Sequence, residues 1–153
     1  MRCVPSAQVF VLRNHHWSSR WGTDRNRALW SAFSIRTPQG NIFFAGDTGW
    51  GDGSWLREAA RAGPYRLAII PIGAYLPRDV MQNSHVDPQE ALAMYRVLAP
   101  RMALAVHWGT FRLSFEAMDQ PAGELRALAA RQGLPQGRFI TPVPGQSFSV
   151  PAR

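Results

Sequence analysis

Lysine is absent from the 153-residue chain: all 17 basic residues are arginine, set against 10 acidic ones, for a formal net charge of +7. The arginines run from Arg2 to Arg153 without a dense cluster. No helix-turn-helix, zinc-finger or RNP pattern accompanies them, so nucleic acid is not an expected partner. Cysteine is nearly absent too. The lone Cys3 excludes an internal disulfide framework and a cysteine-based zinc finger, and with no visible base partner it reads as inert. Long apolar runs are missing as well. The longest, Leu67–Leu76, is broken by Pro71 and Gly73 and falls far short of the roughly 20 residues a membrane helix needs. Near the start, Pro5, Ser6 and Gln8 interrupt any apolar stretch of the signal-peptide kind. These shortages predict a soluble, cytoplasmic protein. With 46% hydrophobic and 18% charged residues, the chain has globular composition and length enough to bury a core unaided.

What is present alternates between strand and helix patterns. Leu29–Ile35 and Ile42–Ala45 read as a hairpin about the turn cluster Thr37-Pro38-Gln39-Gly40-Asn41. Ser54–Ala62 reads as a helix stopped by Gly63-Pro64, and Leu67–Ile70 as a buried strand. Asp87-Pro88-Gln89-Glu90 is a strong helix start, with Asp87 as N-cap and Glu90 closing a capping box. The helix it opens buries Ala91, Met94, Tyr95 and Leu98. Met102–Val106 is a third buried strand, Pro121–Gln132 a further helix, and Arg138–Ile140 and Ser147–Val150 short closing strands. Such alternation predicts an α/β layered fold, in which functional residues gather beyond the carboxyl ends of strands.

Two of those ends carry chemistry. Asp47, in Gly46-Asp47-Thr48-Gly49, follows one buried strand, and His107, in His107-Trp108-Gly109-Thr110, follows another. With His16 they supply two imidazoles and a carboxylate, a donor set suited to zinc and similar metals. The wide separations predict a site built by the fold rather than a local finger. Asp-Thr-Gly after a hydrophobic strand is also the aspartic-protease signature, though that architecture is nearly all β, and the segment also reads as an ordinary turn. His85 lies just before the Asp87 cap, either as a solvated loop residue or aimed at the site by the rigid helix start. Trp17, Trp50 and Trp108 flank the candidate segments as packing residues or as walls of a lipid or aromatic pocket.

The run His16-Trp17, Phe43-Phe44-Ala45-Gly46-Asp47-Thr48-Gly49, Ile70-Pro71-Ile72-Gly73-Ala74-Tyr75, Pro77-Arg78, His85-Val86-Asp87-Pro88-Gln89-Glu90-Ala91 and His107-Trp108-Gly109-Thr110-Phe111 resembles the second half of metallo-β-lactamase-fold hydrolases of the N-acylphosphatidylethanolamine-hydrolysing phospholipase D type. The resemblance implies a single partial domain: the C-terminal half of a four-layer αββα sandwich, a mixed sheet with covering helices. It implies a phosphodiesterase with two zinc ions. Asp47 would bridge both, His16 would ligate the first and His107 the second, with His85 and Trp108 on the substrate. The family's His-x-His-x-Asp-His motif, which supplies the remaining ligands, occurs nowhere in this chain. The implied partners are a phospholipid or other phosphodiester, a membrane surface contacted peripherally, and a missing first half or a second copy of the chain. Cys3-Val4-Pro5 resembles the family's approach to His16, whereas Ser6–Asn14 reads as an insertion. The alternative reading is a non-catalytic remnant or assembly module that keeps the fold without a complete metal site.

Overall fold

The computed structural model describes residues 6–151, so Cys3 and its neighbours lie outside the described residues. Six strands form one mixed sheet in sequence order: β1 (Gln8–Leu12), β2 (Ala32–Arg36), β3 (Asn41–Phe44), β4 (Tyr65–Pro71), β5 (Met102–Val106) and β6 (Phe139–Ile140). β1, β2 and β3 pair antiparallel, and β3 through β6 pair parallel. The helices are α1 (Ser54–Arg61), α2 (Arg78–Met81), α3 (Pro88–Leu98) and α4 (Gln120–Arg131). Parallel neighbours need a crossover, and α1, α3 and α4 supply them.

Register divides the sheet into two unlike faces. Ser34, Phe43, Ala68 and Ala103 lie in one cross-strand row. Phe43, Ala68 and Ala103, with Ile70 and Ala105, form one core cluster with Trp55, Leu56, Leu92, Met94, Leu98 and Leu125 of the helices. The opposite row holds Val11, Phe33, Phe44, Ile69 and Leu104. There Val9 and Val11 are 59% and 68% exposed, and Phe44 is 36% exposed. An apolar sheet face left open in this way marks a surface that packs against something.

Helix starts follow the sequence closely. Asp87 accepts from the Glu90 N–H at 2.8 Å while Glu90 accepts from the Asp87 N–H at 3.1 Å, the complete capping box. The expected inward residues Ala91, Met94, Tyr95 and Leu98 are buried. Strand ends moved more. The strand expected at Leu29–Ile35 begins at Ala32, and Leu29 is 88% exposed. The segment read as an insertion, Ser6–Asn14, contains edge strand β1, in register with β2 from Gln8↔Arg36 to Leu12↔Ala32. Ser147–Val150 forms no strand. Instead the Val150 and Pro151 carbonyls accept from the Arg66 guanidinium at 3.1 and 2.8 Å, so side-chain donors replace a ladder. The short α2 had no periodic signal in the sequence. Among the described residues, no helix is long and apolar enough to cross a membrane.

Candidate metal centre

Strand β3 ends at Phe44, and the chain turns through Gly46 at φ 64°, a left-handed conformation that glycine adopts without strain. The buried Thr48 then knits three segments together. Its Oγ1 accepts from the His15 N–H at 3.0 Å, the Gly49 N–H donates to the His15 carbonyl at 2.7 Å, and the Val86 N–H donates to the Thr48 carbonyl at 2.9 Å. Asn14 adds a fourth tie, its Nδ2 donating to the Ala45 and Asp47 carbonyls at 2.9 and 3.0 Å. The histidine-bearing segments at 15–16 and 85–86 are thus fastened to the loop that carries Asp47. Nothing in the sequence singled out Asn14 or Thr48 for this. The helix-layered mixed sheet disposes of the aspartic-protease reading.

His107 follows β5 with φ 61°, and its Nε2 lies 3.5 Å from Asp47 Oδ2. The His85 ring is 5.2 Å from that of His107 and 5.4 Å from that of His16, centroid to centroid. All four candidate residues therefore meet at the edge beyond the carboxyl ends of the parallel strands, where the sequence placed them. His15 does not join them; its ring packs over Gly51. Trp17 stacks on His16, Trp50 packs against the core, and Trp108 donates from Nε1 to the Ala105 carbonyl at 3.3 Å.

Two supports fix the edge from behind. Arg78 donates from Nη1 to the His85 carbonyl at 2.8 Å and from Nη2 to Glu90 Oε2 at 2.9 Å, binding the His85 loop to the start of α3. Glu116, 7% exposed, accepts from the Ala74 and Leu76 N–H groups at 2.6 and 3.1 Å. It steadies the turn that follows β4, where Ala74 also has a positive φ of 62°. Arg78 had been visible only as part of a motif, and Glu116 carried no sequence signal.

The electrostatics suit a cation. The hydrogen bond with His107 holds the Asp47 carboxyl below its usual range despite burial, with weaker help from His85 and His16. The same contact raises His107. Burial, reinforced by the neighbouring His107 and His16 rings, pushes His85 down to about 4. His16 Nδ1 bonds the Trp17 carbonyl at 2.8 Å. A carbonyl can only accept, so that nitrogen carries the proton and Nε2 presents a lone pair. Among the described residues, that Nε2 and the Nδ1 of His85 are buried without a hydrogen-bond partner, a costly condition that a cation at this edge would relieve. The donor types and their unpaired nitrogens fit a zinc-type ion. Their number is short: among the described residues no group of three His, Cys, Asp or Glu side chains is assembled closely enough to hold a metal.

Comparison with known proteins identifies the family and the fold. A model of the beta-lactamase superfamily domain matches residues 2–108. The chain is 32% identical over 147 residues to N-acyl-phosphatidylethanolamine-hydrolyzing phospholipase D 1 of Caenorhabditis elegans, covering 95% of this chain and 41% of that protein. It is 41% identical over 117 residues to the mitochondrial N-acyl-phosphatidylethanolamine-hydrolyzing phospholipase D of Saccharomyces cerevisiae, covering 74% of this chain and 25% of that protein. Among solved structures, the metallo hydrolase Igni18 of Ignicoccus hospitalis superposes with a TM-score of 0.65 at 18% identity, over 92% of this chain and 51% of that one. This chain therefore spans less than half of either named relative and about half of the solved fold. One mixed sheet with helices on one face is what half of a four-layer sandwich consists of, and the chain belongs to the β-lactamase superfamily of metallo-β-lactamase-fold hydrolases.

Proposed function

We propose that this chain forms part of a zinc-dependent phosphodiesterase of the N-acylphosphatidylethanolamine-hydrolysing phospholipase D type. The observation that carries the reading is the meeting of His16, His85, His107 and Asp47 at one strand edge, with buried ring nitrogens that lack partners. The similarity to two relatives named for that activity supports the substrate class. In this reading Asp47, held in its ionised form beside His107, would hold zinc together with His16 and His107. A bound metal pair supplies a nucleophile at neutral pH and offsets charge on the phosphoryl oxygens. His85, kept neutral by burial, stands beside the phosphate as an uncharged hydrogen-bonding group, and Trp108 contacts the rest of the substrate. A phospholipid substrate brings the protein to a membrane surface from the aqueous side.

Catalytic zinc takes about three protein ligands, more than this donor set gives to each of two ions. Further donors must come from a companion segment or a second copy packed beside the edge. That shortage favours one other reading, a non-catalytic assembly module. The deciding assay is release of phosphatidate from N-acylated phosphatidylethanolamine in mixed micelles with zinc. The chain is assayed alone and with the first half of a related enzyme, beside Asp47→Ala. We expect no turnover from the chain alone and restored turnover that Asp47→Ala abolishes. If neither mixture turns over, and zinc affinity is the same in the parent and Asp47→Ala, the hydrolase reading fails and the assembly module stands.

A further inference from the structure

The two edges of the sheet are guarded unequally. β6 is short, Phe139–Ile140, and is soon followed by Pro142; short strands and proline both close a sheet edge to further pairing. β1 has neither. It runs from Gln8 to Leu12 in unbroken register with β2, and among the described residues no other strand pairs with it. From Ser6 to Leu12 there is no proline and no charged residue. Val9, Phe10 and Val11 stand 59%, 40% and 68% exposed. An edge strand of this kind presents a row of backbone N–H and C=O groups that another strand can use. Val9 and Val11 lie on the open face of the sheet. Phe10 lies on the helix-bearing face, in the row of Ser34 and Phe43, with the Arg36 guanidinium 4.4 Å from its ring centroid.

We propose that β1 pairs antiparallel with β1 of a second copy of this chain, about a two-fold axis that passes beside Phe10. The segment is complementary to itself in that register. Phe10 faces Phe10, Val9 faces Val11, Gln8 faces Leu12 and Ala7 faces Arg13, so the like-charge pairs that destabilise a ladder are absent. Arg13 is the nearest charge, and Glu58 of its own chain meets it at 3.3 Å. A net charge of +7 makes copies repel one another over most of their surface, and this seam is where the charge is missing. A two-fold axis normal to the sheet joins two six-stranded sheets into one, with both open faces on the same side. It also sends the two metal edges to opposite ends of the joined sheet, because each β1 leads to its own His16 and the two strands run in opposite directions. The second copy therefore brings no donor to the Asp47–His107 edge, and the proposal stands apart from the hydrolase reading. Pairing along one short edge makes a small interface, below roughly 1,200 Å², so association belongs at micromolar concentrations.

Sedimentation velocity of the 153-residue chain across roughly 1–300 μM should show a monomer–dimer equilibrium. Phe10→Lys, which sets two ammonium groups opposite each other at the axis, should raise the dimer Kd at least about tenfold. Val80→Lys, 64% exposed on α2, should leave it within about twofold. Register is read independently by single thiols in a Cys3→Ser background under mild oxidation. Opposed Cα atoms of an antiparallel pair lie about 4.5–5.5 Å apart, within disulfide reach, so Phe10→Cys should cross-link. Gln8→Cys thiols are offset along the strands by about four residues, roughly 13 Å, and should cross-link at least about tenfold more slowly. A chain that stays monomeric across the range overturns the proposal. So does a dimer that Phe10→Lys leaves intact, or cross-linking as fast through Gln8→Cys as through Phe10→Cys; either result assigns association to another surface, such as the open face.

Discussion

Replacing Gly73 by alanine puts a carbon where the metal edge has no room. A Cβ built there lies 2.1 Å from the His107 carbonyl oxygen, 3.2 Å from its carbonyl carbon and 3.4 Å from Trp108 Cα. All three are backbone atoms, so no rotamer change relieves the clash. Cβ contacts below 3.0 Å essentially never occur, so the two strand ends must part by about 0.9 Å in a close-packed interior. They have little slack. β4 and β5 are locked in parallel register as far as Pro71↔Val106, and the Ile72 N–H donates to the Val106 carbonyl at 3.0 Å. His107 itself is already in a left-handed conformation. Overpacking of this kind costs about 1–3 kcal/mol, and rigid neighbours place Gly73→Ala near the upper end. For a chain of this length, about 3 kcal/mol corresponds to a fall of roughly 6–12 °C in Tm. Movement of His107 away from Asp47 should weaken zinc binding at least about tenfold. Gly123→Ala is the matched control: nothing lies within 4 Å of its Cβ, it sits inside α4, and alanine there should stabilise by about 0.5–1 kcal/mol. Circular-dichroism melts and competition with a chelating indicator read both effects. A Gly73→Ala protein that melts within about 1 °C of the parent and keeps its zinc affinity would refute the reasoning.

Glu116→Gln tests the carboxylate that holds the turn at 74–76. The amide keeps one acceptor oxygen for the Ala74 and Leu76 N–H groups and brings an NH₂ toward donors, so urea unfolding should show a loss of about 1–3 kcal/mol at neutral pH. Burial alone would raise the Glu116 pKa, but the Ser114 hydroxyl and the Glu116, Leu76 and Ala74 N–H groups lower it overall. Its contribution is therefore present above the unfolded pKa and lost as pH falls through the folded one. The parent should lose stability relative to the variant as pH drops below about 4.5, and parallel curves from pH 3 to 7 would count against the latch. Arg78→Ala should cost about 1–3 kcal/mol, because it strands the His85 carbonyl and leaves the half-buried Glu90 carboxylate with its bond from the Asp87 N–H but no cation. Arg78→Lys should recover only part of this, since one ammonium cannot match the guanidinium fork; full recovery would show that charge alone matters there.

The sequence exposed the parts of this protein that are written locally. Asp87, Pro88 and Glu90 spell out a helix start through three neighbouring side chains, and the structure has that cap bond for bond. Asp47 and His107 could be placed because each directly follows an apolar strand, and parallel strands bring their ends to one edge. What was not legible depends on pairing at long range. Ser6–Asn14, which holds β1, reads as an insertion because it does not resemble the family's approach to His16, and its pairing with β2 joins residues 20 or more positions apart. The strand start at Ala32 was misjudged because Leu29 and Trp30 have strand-like composition, yet the Trp30 indole N–H is spent on the Asn14 carbonyl at 3.2 Å. Asn14, Thr48 and Glu116 act through backbone groups dozens of residues away, and such hydrogen bonds leave no pattern in a single chain.

The two shortages of this chain have one geometric origin. A metal centre at the edge of a sheet would draw donors from strand ends that reach that edge and from loops fastened beside them. Here β3 contributes Asp47 and β5 contributes His107, while the loop after β1 adds His16 by being sewn to Thr48. A further donor therefore needs another strand end or fastened loop facing the same edge. The helices occupy one face of the sheet through Phe43, Ala68 and Ile70. The space for more strands is then the opposite face, where Val9, Val11 and Phe44 stand exposed. Burying that row is favourable at roughly 25 cal/mol per Å² of apolar surface. The same packing would bring foreign strand ends beside Asp47, His16 and His107. On the proposed metal reading, ligand supply and sheet burial would be coupled: a partner covering the open face would be positioned to complete the metal shell. A charge placed on that face, as in Val11→Asp, should weaken recovery of activity by a complementing half even though it touches no metal ligand. If Val11→Asp complements as well as the parent, the donors arrive by another route and the coupling is wrong.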